Sequence, residues 1–159
     1  MHPPPPSGCG RPVIEVSAGL VFRDRQLLIA QRPPGSHLAG TWEFPGGKRE
    51  QEESWEDCLR RELREELDFD ATIVRFYQEV VHDYEERRVC IRFFLARVQS
   101  GEPRPVGCAA LDWVTAEGLG GFEFPPADAT LLHRLRQDRQ LWMDFDQEQA
   151  EYLAKLPGQ

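Results

Sequence analysis

Glu62, Glu65 and Glu66 stand at spacings i, i+3 and i+4, so a helix through them gathers three carboxylates on one face. Adjacent carboxylates repel one another, and burying one without a partner is costly. A divalent cation would remove both penalties. Oxygen-only ligands select a hard ion, Mg²⁺ with Mn²⁺ as a substitute, of the kind that bridges to substrate phosphates. The competing reading is a solvated face laced by Asp57–Arg61 and Arg61–Glu65 pairs at i,i+4. On the helix alone the plainer reading stands; its flanks overturn it.

The element that must carry these acids is well marked. Residues 54–67 read as a helix, with Ser54 as N-cap, Asp57 three residues on, and Trp55, Leu59, Leu63 and Leu67 as an apolar stripe. The carboxylate face adjoins that stripe, with Glu66 almost inside it, while Arg60, Arg61 and Arg64 are expected to point to the other side. Before the helix, residues 13–22 and 26–31 read as paired strands across a charged turn at Arg23-Asp24-Arg25. A Pro/Gly-marked loop follows, then a short strand at 41–44 that runs into the turn Pro45-Gly46-Gly47. After it come long β segments at 71–81 and 89–98, a loop at 101–107, a strand at 111–114 and a helical turn at 116–119. A helix is expected from about 127 to 136, opened by Pro125-Pro126, and a last one over 144–156.

The 159 residues suit one domain, with no internal repeat. Residues 1–12, rich in Pro and without an apolar core, read as a disordered lead-in rather than a secretory signal. Residues 13–140 form the domain, and 141–159 a helical extension of it. No apolar run approaches the ~20 residues that span a bilayer, so no membrane partner is expected. A net charge of −8 argues against a large nucleic-acid surface, which needs clustered Lys and Arg. A small anionic substrate stays compatible, because a metal reverses the local sign. Cys9, Cys58, Cys90 and Cys108 lack C-x-x-C spacing and read as free thiols of a cytoplasmic protein.

Gly47, Glu53, Arg61, Glu62, Leu63, Glu65, Glu66 and Phe69 resemble the Nudix box: a glycine, five residues, a glutamate, seven residues, then R-E-U-x-E-E-x-G-U, where U is bulky and apolar. The final glycine is Asp68 here, at a post-helix position where a left-handed backbone is often required and Asp is tolerated. Arg32, the stretch Trp42-Glu43-Phe44-Pro45-Gly46-Gly47-Lys48, Trp113 and Phe124-Pro125-Pro126-Ala127-Asp128 are similar to the MutT-like branch, so the resemblance covers about residues 13–137.

That resemblance implies an α/β fold, a Nudix-type α/β/α sandwich around a central mixed sheet. It implies Mg-dependent cleavage of a nucleoside triphosphate to a monophosphate and pyrophosphate, by attack of water on an inner phosphorus. Glu62, Glu65 and Glu66 would ligate the metal, Glu53 would orient the loop, and Arg61 would brace the box by pairing with an acid; these make up the expected catalytic set. Gly46 and Gly47 would turn the backbone tightly toward the metal. Arg32 and Lys48 are candidates to hold phosphates, and Phe44 and Asp128 complete the expected substrate-binding set. In MutT-like relatives an Asn at the position of Asp128 reads the base. An ionised Asp only accepts hydrogen bonds, which suits donor edges such as the cytosine amino group; otherwise Asp128 only favours a helix dipole. The relatives also carry a loop glutamate near the position of Gly107, and no acid lies between Glu102 and Asp112. An oxidised purine nucleotide such as 8-oxo-dGTP leads as substrate, with a (d)CTP or modified-pyrimidine nucleotide as alternative. A catalytically weak nucleotide-binding module is the reading from another class. Oligomeric state is left open.

Overall fold

The computed structural model describes residues 11–143 and, beyond them, Phe145, Lys155 and Pro157. The expected lead-in over residues 1–10 and most of the expected helix over 144–156 lie outside the described residues.

Strand β1 (Val13–Arg23) is buried without a break from Ser17 to Phe22. A run apolar on both faces belongs in the middle of a covered sheet, and β1 sits there. It turns through Asp24 and Arg25, both at positive φ (51° and 63°), into the antiparallel β2 (Gln26–Gln31). Two successive left-handed residues give the turn whose twist suits a tight hairpin. Strand β3 (Trp42–Glu43) pairs with β2, and β4 (Gly46–Lys48) pairs with β1. Sequence reasoning placed only a turn at Gly46-Gly47; the glycines are instead ladder residues, because the strand must lie against the β1 backbone. A Cβ on Gly46 would come within 2.0 Å of the Ser17 carbonyl oxygen.

Helix α1 (Trp55–Leu67) follows, then β5 (Asp70–Asp83), β6 (Arg88–Ser100) and β7 (Ala110–Val114). The β5–β6 hairpin is longer at both ends than periodicity alone indicates. The sheet has seven strands, ordered β3-β2-β1-β6-β5, with β4 beside β1 and β7 beside β2. The β1–β6 ladder is parallel and the other ladders are antiparallel, so the sheet is mixed.

One sheet face packs Leu59, Leu63 and Leu67 of α1 against Val21, Leu28, Phe94 and Ala96. The other packs Leu20, Phe22, Phe93 and Leu95 against Leu131, Leu135 and Trp142. This is the expected α/β/α sandwich. The helix expected over 127–136 divides: a 3-10 turn at Pro126–Asp128 precedes α2 (Ala129–Gln137). The turn expected at 116–119 is a 3-10 segment at Gly118–Gly121. Strand β5 ends the sheet, and Arg134 of α2 reaches over it to donate to the Tyr77 carbonyl and the Gln78 side chain, both at 2.9 Å. Among the described residues no helix is long and apolar enough to cross a membrane. Cys58, Cys90 and Cys108 are free thiols.

Candidate active site

Helix α1 begins where the Ser54 hydroxyl accepts the Asp57 N–H at 3.0 Å, satisfying one of the free amides of its first turn. It ends at Asp68, which is left-handed (φ 55°, ψ 43°) and returns its N–H to the Arg64 carbonyl. The acid at this usually glycine position adopts the conformation the helix end demands, and its carboxylate pairs with Arg104. Two more C-terminal carbonyls of α1 are met by the loop after β6. Arg104 N–H donates to the Leu67 carbonyl at 2.8 Å, and the Val106 and Gly107 N–H groups donate to that of Glu66 at 3.1 and 2.9 Å.

Arg61 corrects the sequence reading. It does not point away with Arg60 and Arg64 but folds back over the acids. Its Nε and one terminal nitrogen donate to both Glu53 oxygens at 2.7 and 2.9 Å. The other terminal nitrogen donates to Glu62 at 2.9 Å and to Glu65 at 3.2 Å, while the one shared with Glu53 also donates to the Lys48 carbonyl at 3.0 Å. The expected Asp57–Arg61 pair is absent, because Asp57 pairs with Arg60 at 2.8 Å while Arg61 is engaged on the inner side. Arg60 and Arg64 both face outward as expected, Arg60 toward Asp57 and Arg64 toward Asp70.

The electrostatics follow from this hub. Bidentate donation from Arg61 holds Glu53 down at about 2. Glu62 is shifted upward, first by burial, with the nearby charges of Glu65 and Glu66 adding to it against the pull of Arg61. A crowded, half-buried carboxylate of this kind fits a divalent cation. As the side chains stand, the described residues hold no ready-made group of three or more His, Cys, Asp or Glu side chains for a metal. The acids share the helix face without converging, since Arg61 holds two of them. Glycines back two of the glutamates: a Cβ on Gly47 would lie 2.2 Å from Glu62 Cδ, and one on Gly107 would lie 1.7 Å from Glu66 Oε2.

Beside this face opens a cleft of about 310 Å³. Its floor is one face of β1 (Ile14, Val16, Ala18) and of β6 (Val89, Ile91, Phe93), read at the period of two that strands impose. Arg32, Phe44, Gly46, Gly47, Lys48 and Asp128 all line it. Phe44 stacks on Phe124 with centroids 5.1 Å apart, and Trp42 N–H donates to the Glu123 carbonyl at 2.7 Å, so two distant stretches form one wall. Arg32 is already engaged, donating to Glu43 at 2.6 Å and to the His37 carbonyl at 2.6 Å.

Asp128 is 7 % exposed and stands at the junction of the 3-10 turn and α2. Its side chain makes no capping hydrogen bond, although it is the acid of the first turn. Burial, reinforced by the charge of Glu43, pushes it up to about 7. Glu43 is itself raised by burial against the pull of Arg32. Sequence reasoning did not single out Glu43, nor His37, Tyr84 and Arg87 at the mouth of the cleft. Glu43 was readable as the polar member of a two-residue strand; the others meet the site only through the β5–β6 hairpin and the loop after β2, which carry no local signal.

The model of the NUDIX domain matches residues 17–134. This chain belongs to the Nudix family. The 8-oxo-dGTP diphosphatase of Haemophilus influenzae is 35 % identical over 124 residues, spanning 77 % of this chain and 91 % of that protein. The CTP pyrophosphohydrolase of Escherichia coli is 37 % identical over 120 residues, covering 76 % and 89 %. Among solved structures, the MutT Nudix hydrolase from Burkholderia pseudomallei superposes with a TM-score of 0.69 at 27 % identity, covering 76 % of this chain and 96 % of that one. The Nudix sandwich and the MutT-like resemblance read from the sequence both hold.

Proposed function

We propose that this Nudix hydrolase is a divalent-cation-dependent nucleoside triphosphate pyrophosphohydrolase that releases a monophosphate and pyrophosphate, with 8-oxo-dGTP or a related oxidised purine nucleotide as preferred substrate. The observation that carries the substrate is Asp128, a buried carboxyl without a hydrogen-bond partner among the described residues, facing a cleft that leads to the acidic helix. Near neutral pH its protonated form is well populated. A neutral carboxyl offers one donor and one acceptor, the pattern of an Asn side chain, and this matches the O6 and N7–H edge of 8-oxoguanine.

Mg²⁺, or Mn²⁺ in its place, would be held by Glu62, Glu65 and Glu66; such an ion neutralises phosphate oxygens and acidifies water for attack on phosphorus. Arg61 keeps Glu53 ionised and holds the Lys48 carbonyl, which fixes the turn between the cleft and α1. Lys48 is the exposed cation of the lining and is assigned to the phosphates, while Arg32 holds Glu43 in place. Phe44 and Phe124 supply an apolar wall for a base. Clearance of damaged nucleotides before they enter DNA, in the cytoplasm, is the role this chemistry serves.

A second reading has its own support. The ionised form of Asp128 accepts only, which suits the amino group of a (d)CTP or modified-pyrimidine nucleotide. Pyrophosphate release from 8-oxo-dGTP, dGTP, dCTP and 5-methyl-dCTP, at pH 6 and pH 8.5, separates the two. We expect the 8-oxo-dGTP preference to be strongest at the lower pH; absence of turnover with any oxidised purine would remove the leading assignment. Loss of turnover with every nucleotide, alongside retained binding, would make the chain a binding module.

A further inference from the structure

We propose that Gly107 is a positioning residue for Glu66, doing from the loop after β6 what Gly47 does for Glu62 from β4. The inference rests on the metal-dependent reading above. Glu62 and Glu66 lie one turn apart on α1, and each carboxylate occupies the space that a side chain on its glycine would fill: 2.2 Å to Glu62 Cδ from a Cβ on Gly47, and 1.7 Å to Glu66 Oε2 from a Cβ on Gly107. The same loop holds the Glu66 main chain through the Val106 and Gly107 N–H groups. Backbone and carboxylate of Glu66 are therefore both set by one short segment.

Gly107 lies outside the left-handed region, so its backbone is open to an alanine. Only the far end of the Glu66 side chain has to yield to a methyl there. A glutamate at position 107 could not coexist with Glu66 where it stands. In this chain the loop supplies a recess for an acid instead of supplying the acid.

The test is calorimetric titration of Mn²⁺ into the full chain, with thermal unfolding recorded for each variant. Gly107→Ala is expected to weaken Mn²⁺ binding about 10–100-fold, the range for groups that orient a ligand, and to leave the unfolding midpoint in place. Val106→Ala, at an exposed neighbour, is expected to change neither. In a Glu66→Gln background, Gly107→Ala is expected to add nothing further. Unchanged Mn²⁺ binding by Gly107→Ala overturns the inference, as does an equal loss in Val106→Ala or an undiminished loss in the Glu66→Gln background. A lowered midpoint in Gly107→Ala would assign the glycine to folding and overturn it too. If the unmodified chain binds no Mn²⁺, the metal-dependent reading itself fails, which is a distinct result.

Discussion

The acids of α1 and the acid at the far wall of the cleft are the same kind of group in opposite surroundings. Glu53 receives two hydrogen bonds from Arg61 and is held down at about 2. Asp128 receives none from the described residues, stands near the charge of Glu43, and is pushed up to about 7. Pairing with a guanidinium keeps a carboxylate charged, and solitary burial lets it become neutral. The first region is therefore built to handle charge, as phosphates and cations require. The second is built to read a pattern of donors and acceptors, as a base requires.

The sharpest way to break this contrast is to remove charge from the helix. Glu66→Gln or Glu62→Gln is expected to lower kcat about 10²–10³-fold, a loss typical of a group that stabilises developing charge. Phosphate-release kinetics at saturating Mg²⁺ would show it; activity near that of the unmodified chain would reduce the helix to a solvated face. Next in size, Arg61→Ala leaves half-buried Glu53 and Glu62 without their cation and is expected to destabilise by about 2–3 kcal/mol, between the values for exposed and fully buried pairs. Urea unfolding measures this. The same pair fixes the response to acid. The pKa of Glu53 in the fold lies below its unfolded value, so its contribution is present above about pH 4.5 and is lost as pH falls toward about 2. Stability of Arg61→Ala should consequently fall less steeply across that window.

On the other side of the comparison the sign reverses. Asp128 is raised in the fold, so its contribution is complete below its unfolded value near 3.8 and is lost as pH climbs through about 7. Asp128→Asn is expected to be neutral at pH 4 and stabilising at pH 8 by roughly 2 kcal/mol, below the ceiling of ~1.4 kcal/mol per pH unit because the cleft admits water. Its preference for 8-oxo-dGTP should lose the pH dependence expected of the unmodified chain, since Asn offers donor and acceptor throughout. An identical thermal midpoint for the two proteins at pH 8 would show that Asp128 is not strained by its charge. Smallest of all, Ser54→Ala should lower stability by ~1 kcal/mol through loss of the N-cap, with kcat little changed.

How far the sequence revealed each region follows from how each is built. The helix, its cap and its acids lie within fifteen consecutive residues, where period and spacing are direct readouts of geometry. Asp68 could be assigned to a left-handed end because that conformation is local. Arg61 was misdirected because a helical wheel gives the direction of Cβ, whereas a long guanidinium stem can return across the helix to Glu53. The cleft draws its floor from β1 and β6, its walls from the stretches around Phe44 and Phe124, and its mouth from the hairpin near Tyr84. Those contacts are made by pairing distant strands, so Tyr84 and Arg87 give no local sign of their neighbours. The protonation of Asp128 was out of reach for the same reason: it depends on burial by residues far along the chain.

The bridge from Arg134 to the Tyr77 carbonyl carries a consequence for handling the protein. Strand β5 is fourteen residues long and displays Phe76 and Val81 beside its unpaired margin. An uncovered strand margin invites pairing with another chain, and here the cover is a helix of nine residues. Detachment of α2 should therefore precede intermolecular β-pairing on warming. Shelf life is then expected to be governed by the rate of that detachment, so the apparent melting temperature should rise with scan rate.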